Sequence, residues 1–456
     1  MKKKKFIILI TFFFILQSIV SSSVIKEDLN NQNFNNQKSK WTLLFYYAAD
    51  NHRTYEIDKM LDLWKSIGSN DEFKIVNLID GVEDGDTVYY LIEKDSLINL
   101  SWPEQESDMG DAVTLECFLN LSIKNFPSDN YALFIMSTHG SGWQGLGSDT
   151  SGTLGYEKLT LLNMKDYTYV FERITKDFDI KIDIVAFDIC VTAMIEVAYQ
   201  IKDYCSYMIG TEEHGFGEAA ESDEGVNLEW NYSFFINNLK ENPDMTPEEF
   251  SISIVESYIP GTYSFKIFER FTAPDWFPIL RCYSTISAIN LSRFDNTKNA
   301  ISNLSSLLYN NLDFYKKSID HARSEVREYG KLYRKFWFLP SLIYYLHLDF
   351  LGYDCFIDVY DFANKLKTNS NDEKLIETCS DVTNNLDLMI IGNNVLETDN
   401  SHGLSIYFPE YKCQYDASIW KIIGMDNFNE IPVKYSEIDF SKDTLWDKFL
   451  QEYLIL

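Results

Sequence analysis

A thiol and an imidazole cleave peptides together when each stands on a loop at the same end of a sheet. The thiolate attacks the carbonyl, and the imidazole returns a proton to the leaving amine. Two residues of this chain are spaced for that arrangement. His139 follows the apolar run Tyr131–Met136 (YALFIM) after Ser137 and Thr138, and Gly140 stands beside it. Cys190 follows the apolar run Ile184–Phe187 after Asp188 and Ile189. The two are 51 positions apart, enough for a helical crossover between parallel neighbours. In parallel sheets ligands bind beyond the carboxyl ends of the strands, which is where both residues fall. The backbone N–H groups of Gly140 and Cys190 could meet a developing oxyanion there. Val191–Lys202 reads as an amphipathic helix, which would set Cys190 at a helix N-terminus that favours a thiolate.

Residue type alone does not decide the pair. The chain has three His-Gly dipeptides, at His139, His214 and His402. His402 precedes an apolar run rather than following one. His214 comes shortly after the run Tyr207–Gly210 and stays a competitor. His52, His321 and His347 have no companions in the sequence and read as structural. A cysteine between apolar residues is more often a core residue than a nucleophile, so position carries the argument.

The elements that would hold these loops alternate. Apolar runs at Trp41–Ala48, Phe73–Leu78, Thr87–Ile92, Tyr131–Met136, Ile184–Phe187 and Tyr207–Gly210 read as strands. Helical spacing appears at Thr54–Ile67, Asp111–Ile123, Met164–Phe178 and Val191–Lys202. Near-continuous apolar strands separated by helices give an α/β fold with a mostly parallel sheet covered on both faces. Thr246–Tyr258 is a further helix, with Thr246 as its cap and Pro247 in its first turn. Beyond Ser284–Asn290 the pattern is largely helical, at Asp295–Phe314, Asp320–Leu332 and Val359–Lys367, with a late strand at Leu404–Phe408. The resulting division is a main unit over 41–284 and a C-terminal region over 285–456, whose strands could rejoin the main sheet.

The ends of the chain and its charge narrow the setting. Lys2–Lys5 precede an apolar run from Phe6 to Leu16 and then Ser21–Ser23. This is the pattern of a secretory signal peptide over 1–23, the alternative being an uncleaved anchor. Residues 24–40 read as a flexible leader. The formal charge is −29 from 40 Lys+Arg and 69 Asp+Glu. Losing the four leader lysines takes it to −33. Such acidity excludes nucleic acid as a partner and suits cationic substrates. No other stretch is apolar enough to keep the mature chain in a membrane. The seven cysteines lack zinc spacing. Their odd number leaves at least one thiol unpaired in a secreted protein, and Cys190 would account for it.

Several segments together resemble the clostripain family of cysteine peptidases: WTLLFYYAADN (41–51), ESDMGDAVTLECFL (106–119), YALFIMSTHGSGW (131–143), FDICVTAMIEVAYQIKDYCSYMIGTEE (187–213), SAINLS (287–292) and GLSIYFPE (403–410). The wider group includes the caspases, whose histidine also stands roughly 50 residues before the cysteine. The resemblance implies a caspase-like α/β/α sandwich and a secreted endopeptidase with His139 as base and Cys190 as nucleophile. It also implies Gly140 and Cys190 as oxyanion donors. Asp188, two before the cysteine, matches the family's acid at the floor of the S1 pocket, which implies cleavage after Arg or Lys. The competing role for Asp188 is a helix N-cap. A second pocket acid would come from the loop Glu212–Glu224, with Glu218 as the candidate and most of the others solvated. Val191-Thr192-Ala193 departs from the Leu-Met pair and small residue usual after the cysteine, and Thr211 stands for the usual serine. Self-cleavage of a zymogen between the two catalytic segments is implied, with Lys158, Lys165, Arg173, Lys176 and Lys181 available and Lys158 in the most loop-like surroundings. No cofactor is required by thiol chemistry. Calcium is a candidate through the resemblance, without a ligand set beyond Asp149 and the acidic loop. Two other functions stay open: a non-catalytic binding module on the same scaffold, and a transpeptidase.

Overall fold

A computed structural model describes residues 38–138, 140, 142–149, 160–213, 229–260, 262–265, 280–329, 355–396, 400–412, 414–415 and 433–455. The leader 1–23 and most of 24–40 lie outside these residues.

Nine strands among the described residues form one sheet. They are β1 (Ser39–Ala48), β2 (Phe73–Asp80), β3 (Val88–Glu93), β4 (Ser96–Asn99), β5 (Ser128–Met136), β6 (Ile182–Asp188), β7 (Cys205–Gly210), β8 (Thr285–Asn290) and β9 (Ile390–Val395). Their spatial order is β9-β8-β7-β6-β5-β1-β2-β3-β4. The five central strands, β7 to β2 in that order, are parallel. Both edges turn antiparallel, β3 and β4 on one side, β8 and β9 on the other. Of the two strands read from the C-terminal region, Ser284–Asn290 joins the main sheet as β8, whereas Leu404–Phe408 contributes Ser405–Tyr407 to a separate three-stranded sheet; the other edge strand, β9, was not read. The first strand begins at Ser39, inside the span read as flexible leader.

The central strands are apolar on both faces because both faces are covered. Leu44, Tyr46, Leu133, Ile135, Val185 and Phe187 belong to one core, and Leu43, Phe45, Ala132, Phe134, Ile184 and Ala186 to the other. The first core packs against α2 (Ala112–Asn125), α3 (Met164–Phe178), α4 (Ile195–Ile201), α7 (Phe294–Asn310) and α8 (Glu373–Met389). The second packs against α1 (Ile57–Ile67), α5 (Tyr232–Glu241) and α6 (Pro247–Ser257). The result is an α/β/α sandwich. On the second face Phe45, Phe134 and Phe235 stack in sequence, with centroids 4.7 and 5.7 Å apart. Each such pair adds about 1 kcal/mol beyond area burial.

Local chemistry sets several boundaries. Asn163 caps α3 through a reciprocal pair with Asp166. Thr246 does the same for α6 with Glu249, and Pro247 occupies its first turn. The long helix expected over 295–314 breaks at Asn311, where a second helix (Leu312–Glu325) starts. That helix ends before residue 332, and Glu328–Tyr329 is a short strand instead. No helix among the described residues is long and apolar enough to cross a membrane.

Candidate active site

Strands β5 and β6 are parallel neighbours, and Met136 pairs with Asp188. The two loops that leave them are in backbone contact. A Cβ added to Gly140 would fall 2.0 Å from the carbonyl oxygen of Cys190 and 2.7 Å from Cγ2 of Ile189. Only glycine allows that approach. Gly142, at φ +56, is held as tightly, its added Cβ 2.1 Å from the sulfur of Met194. His139 and Glu218 lie outside the described residues, as do the competitor His214 and the proposed cleavage residue Lys158.

The loop of Cys190 differs from the sequence expectation. Helix α4 starts at Ile195, not Val191, so Cys190 sits in a turn five residues earlier. Cys190 is therefore not itself at a helix N-terminus, and Asp188 is not the cap of α4. The apolar spacing of Val191, Ala193 and Met194 mimics a helix because all three are buried in the core for another reason. Val191 adopts φ +53, a left-handed conformation that a β-branched residue takes only when its surroundings enforce it. Those surroundings are visible. Val191 N donates to Glu213 O (3.3 Å), and Thr192 N and Ala193 N both donate to Thr211 O (2.8 and 2.9 Å). The Thr211 hydroxyl donates to Ile189 O at 3.2 Å. From the C-terminal region, Ser405 N donates to Ala193 O at 2.9 Å. The Cys190 loop is thus pinned from two separate segments, Thr211–Glu213 and Ser405.

Asp188 is not an open carboxylate. Its Oδ2 accepts from Arg53 Nη2 at 2.9 Å and from the Tyr232 hydroxyl at 2.8 Å. Burial and the Asp188 charge keep the Tyr232 phenol protonated, so it serves as a donor. The same guanidinium reaches both strand ends: Arg53 Nη1 donates to Ser137 O (3.3 Å) and to Asp188 O (3.2 Å), and Nε to Glu56 (3.1 Å). One buried side chain therefore ties together the loops that lead to His139 and Cys190. Arg53 and Tyr232 were not singled out from the sequence. The rule that found the other two loops would have found Arg53, because it follows the carboxyl end of β1.

Three acids of the 212–229 segment are not solvated as expected. Glu212, Glu213 and Glu229 are buried. Glu212 Oε2 accepts from Gly403 N at 2.9 Å, and Glu213 pairs with Arg327 at 3.4 Å. The cysteine parity argument also weakens. Cys117, Cys205 and Cys379 are all thiols outside any disulfide. Burial pushes Cys117 up to about 11 and Cys379 up to about 12, and raises Cys205 further. These three are poor nucleophiles, whereas Cys190 is only partly buried. Asp149, a calcium candidate, is fully buried and accepts from Met109 N. The carboxylates that converge are others: Asp50, Asp80 and Glu106.

With this geometry in place, comparison with known proteins is informative. Residues 45–453 match the model of the clostripain family. Clostripain of Hathewaya histolytica is 22% identical over 447 residues, an alignment covering 84% of this chain and 77% of that protein. A secreted C11 cysteine protease from Bacteroides thetaiotaomicron, solved with an irreversible peptide inhibitor, superposes with a TM-score of 0.56 at 14% identity, over 89% of this chain and 99% of the other. An inactive zymogen C11 protease from Parabacteroides distasonis gives 0.56 at 16% identity, over 90% and 99%. These two likenesses establish the caspase-like fold.

Proposed function

The chain belongs to the clostripain family and is a cysteine peptidase, and from that premise we propose that it is a secreted endopeptidase cutting after Arg or Lys through a His139/Cys190 dyad. The observation that carries this reading is the contact of the two strand-end loops, Gly140 lying against the Cys190 carbonyl. His139 takes the Cys190 proton as Sγ bonds to the substrate carbonyl carbon. Its imidazolium then protonates the amine as the C–N bond breaks. Water attacks the thioester, the acid leaves, and the thiol is restored. Gly140 N–H and Cys190 N–H serve the oxyanion. Secretion follows from the basic and apolar leader over 1–23.

The S1 reading needs a second acid. Arg53 already balances the charge of Asp188, so Asp188 alone offers a P1 cation little net attraction. Glu218 is the residue we assign to complete the pocket. For maturation, Lys165, Arg173 and Lys176 stand within α3, where the extended backbone a protease requires is not accessible. Of the remaining Lys158 and Lys181, Lys158, in the more loop-like sequence, is the proposed self-cleavage site.

The test pairs wild type with Cys190→Ala on Arg- and Lys-amide fluorogenic peptides. Hydrolysis should disappear in the variant, and the purified variant should stay one chain while wild type becomes two. Unchanged hydrolysis in Cys190→Ala would overturn the assignment. A Glu218→Gln variant should lower kcat/KM for basic P1 substrates by roughly tenfold or more, the scale of one lost charge-assisted contact. Uncharged P1 substrates should be little affected.

A further inference from the structure

We propose that Trp143 and Tyr435 are positioning residues: through them the C-terminal region holds the loop that carries His139, an inference that rests on His139 being the base. Trp143 stands four residues beyond His139, inside a single 3-10 turn over Gly142–Gln144. Its indole is fully buried. Two aromatic neighbours, both from the C-terminal region, enclose it. Tyr407 ends the strand Ser405–Tyr407 and Tyr435 opens a turn over Tyr435–Glu437. Their ring centroids lie 5.3 and 5.1 Å from the indole, at 64° and 70°. Both contacts are edge to face, the arrangement aromatic pairs favour. The indole Nε1 is buried without a hydrogen-bond partner, so packing against the rings, not a hydrogen bond, fixes this side chain.

The two tyrosines are in turn anchored to the segment that follows Cys190. Glu196 Oε1 accepts from Tyr407 N at 2.9 Å and from the Tyr435 hydroxyl at 2.8 Å. The two rings lie 4.7 Å apart, and the Trp446 indole donates to Tyr407 O at 2.8 Å. One carboxyl of α4 therefore sets both walls around Trp143, and α4 begins five residues after Cys190. The residue before Trp143 has no room to shift either. A Cβ added to Gly142 would lie 3.3 Å from Val191 O and 3.4 Å from Cζ of Phe356. Side chains of α4 and of the C-terminal region thus locate the loop of His139 against the loop of Cys190.

The consequence is kinetic. A base must stay within hydrogen-bond reach of the thiol it serves, and a misplacement of about 1 Å costs roughly 100-fold in rate. Trp143 and Tyr435 are both fully buried and cannot touch a substrate. Loosening their contact therefore lowers kcat and leaves KM nearly unchanged.

The experiment has two readouts on the full chain. In the active protein, Tyr435→Leu removes the ring. On Arg-amide peptides its kcat should fall roughly 10- to 100-fold, with KM within about twofold of wild type. Tyr435→Phe restores the ring without the hydroxyl and should recover most of that kcat, which separates the contact with Trp143 from the bond to Glu196. The second readout is amide hydrogen exchange in the chain carrying Cys190→Ala. Adding Tyr435→Leu should speed exchange in the peptide spanning 137–145 roughly tenfold or more and leave the peptides of β1 unchanged. Unchanged exchange over 137–145 overturns the proposal, as does a loss of rate carried by KM. Faster exchange in β1 as well would mark general destabilisation and overturns it too. If Tyr435→Leu does not fold, Trp143→Phe takes its place under the same criteria. The exchange readout needs no turnover, so its failure is distinct from failure of the dyad, which Cys190→Ala tests by activity.

Discussion

Two carboxylates end two parallel strands of the same sheet, and the protein treats them oppositely. Asp188 closes β6 and meets the Arg53 guanidinium at 2.9 Å and the Tyr232 hydroxyl at 2.8 Å. Asp80 closes β2 and meets one hydroxyl, leaving Oδ2 buried without a partner. The fold supplies Asp188 with its cation from within. At Asp80 the partner is a neutral hydroxyl. An acid at the carboxyl edge of a sheet thus has no fixed meaning. What is folded beside it decides whether it is held as an ion pair or pushed toward its protonated form.

The contrast is tested most severely at Arg53. Arg53→Met strands Asp188 and Glu56 and frees two strand-end carbonyls. Breaking a buried pair from one side costs about 3–5 kcal/mol, measurable by urea denaturation. Because the same side chain aligns the two loops of the proposed dyad, kcat/KM should also fall roughly 100-fold, the cost of a misplacement on the scale of 1 Å. Arg53→Lys, which keeps the charge but not the fork, should recover part of the stability and little of the rate. If Arg53→Met retains full activity, the guanidinium is only a counter-ion and does not position the loops.

A sharper version sets the two acids side by side. Asp188→Asn leaves Arg53 with a weaker partner and should destabilise the chain by about 3 kcal/mol. Asp80→Asn, measured at pH 7, removes a carboxyl that burial pushes up to about 9 and that folding must therefore protonate, and should stabilise the chain by about 1–2 kcal/mol. The opposite signs are the expected outcome. Equal losses at both positions would mean that Asp80 has a partner equivalent to Arg53.

The parts of this molecule that were legible in the sequence are those whose neighbours follow from burial alone. YALFIM and IVAF read as strands because a central parallel strand is covered on both faces and carries no polar alternation. Met164–Phe178 was legible to the residue because Asn163 caps it. Strand β4 (SLIN) was not, being a short, largely exposed edge. The helix Glu373–Met389 carries Leu375, Cys379, Val382 and Leu386 on its buried face, a helical spacing that its many polar residues obscured. The turn at Cys190 was misread because Val191, Ala193 and Met194 are buried by contacts with Thr211, Glu213 and Ser405 from distant segments. The pairing of Arg53 with Asp188 spans 135 positions, and no local pattern encodes it. Strand ends indicated where to look for chemistry, but the counter-ions there required three dimensions.

The smallest expected effect lies between the two extremes, at an acid with donors but no cation. Glu196, in the helix after Cys190, is buried. Its Oε1 accepts from Tyr407 N at 2.9 Å and from the Tyr435 hydroxyl at 2.8 Å. Both donors belong to the C-terminal region, so this carboxyl joins that region to α4. Burial pushes it up to about 7. Folding therefore holds the proton more tightly than the unfolded chain does. The resulting stabilisation is complete below the unfolded value of 4.5 and is lost as pH climbs through about 7. Glu196→Gln keeps an acceptor for both donors and carries no charge. It should match wild type near pH 5 and exceed it by about 1 kcal/mol at pH 8, less than the full linkage because the new amide N–H₂ must find a partner of its own. A difference that does not change between the two pH values would show that Glu196 is ionised throughout, with a cation the hydrogen bonds do not reveal.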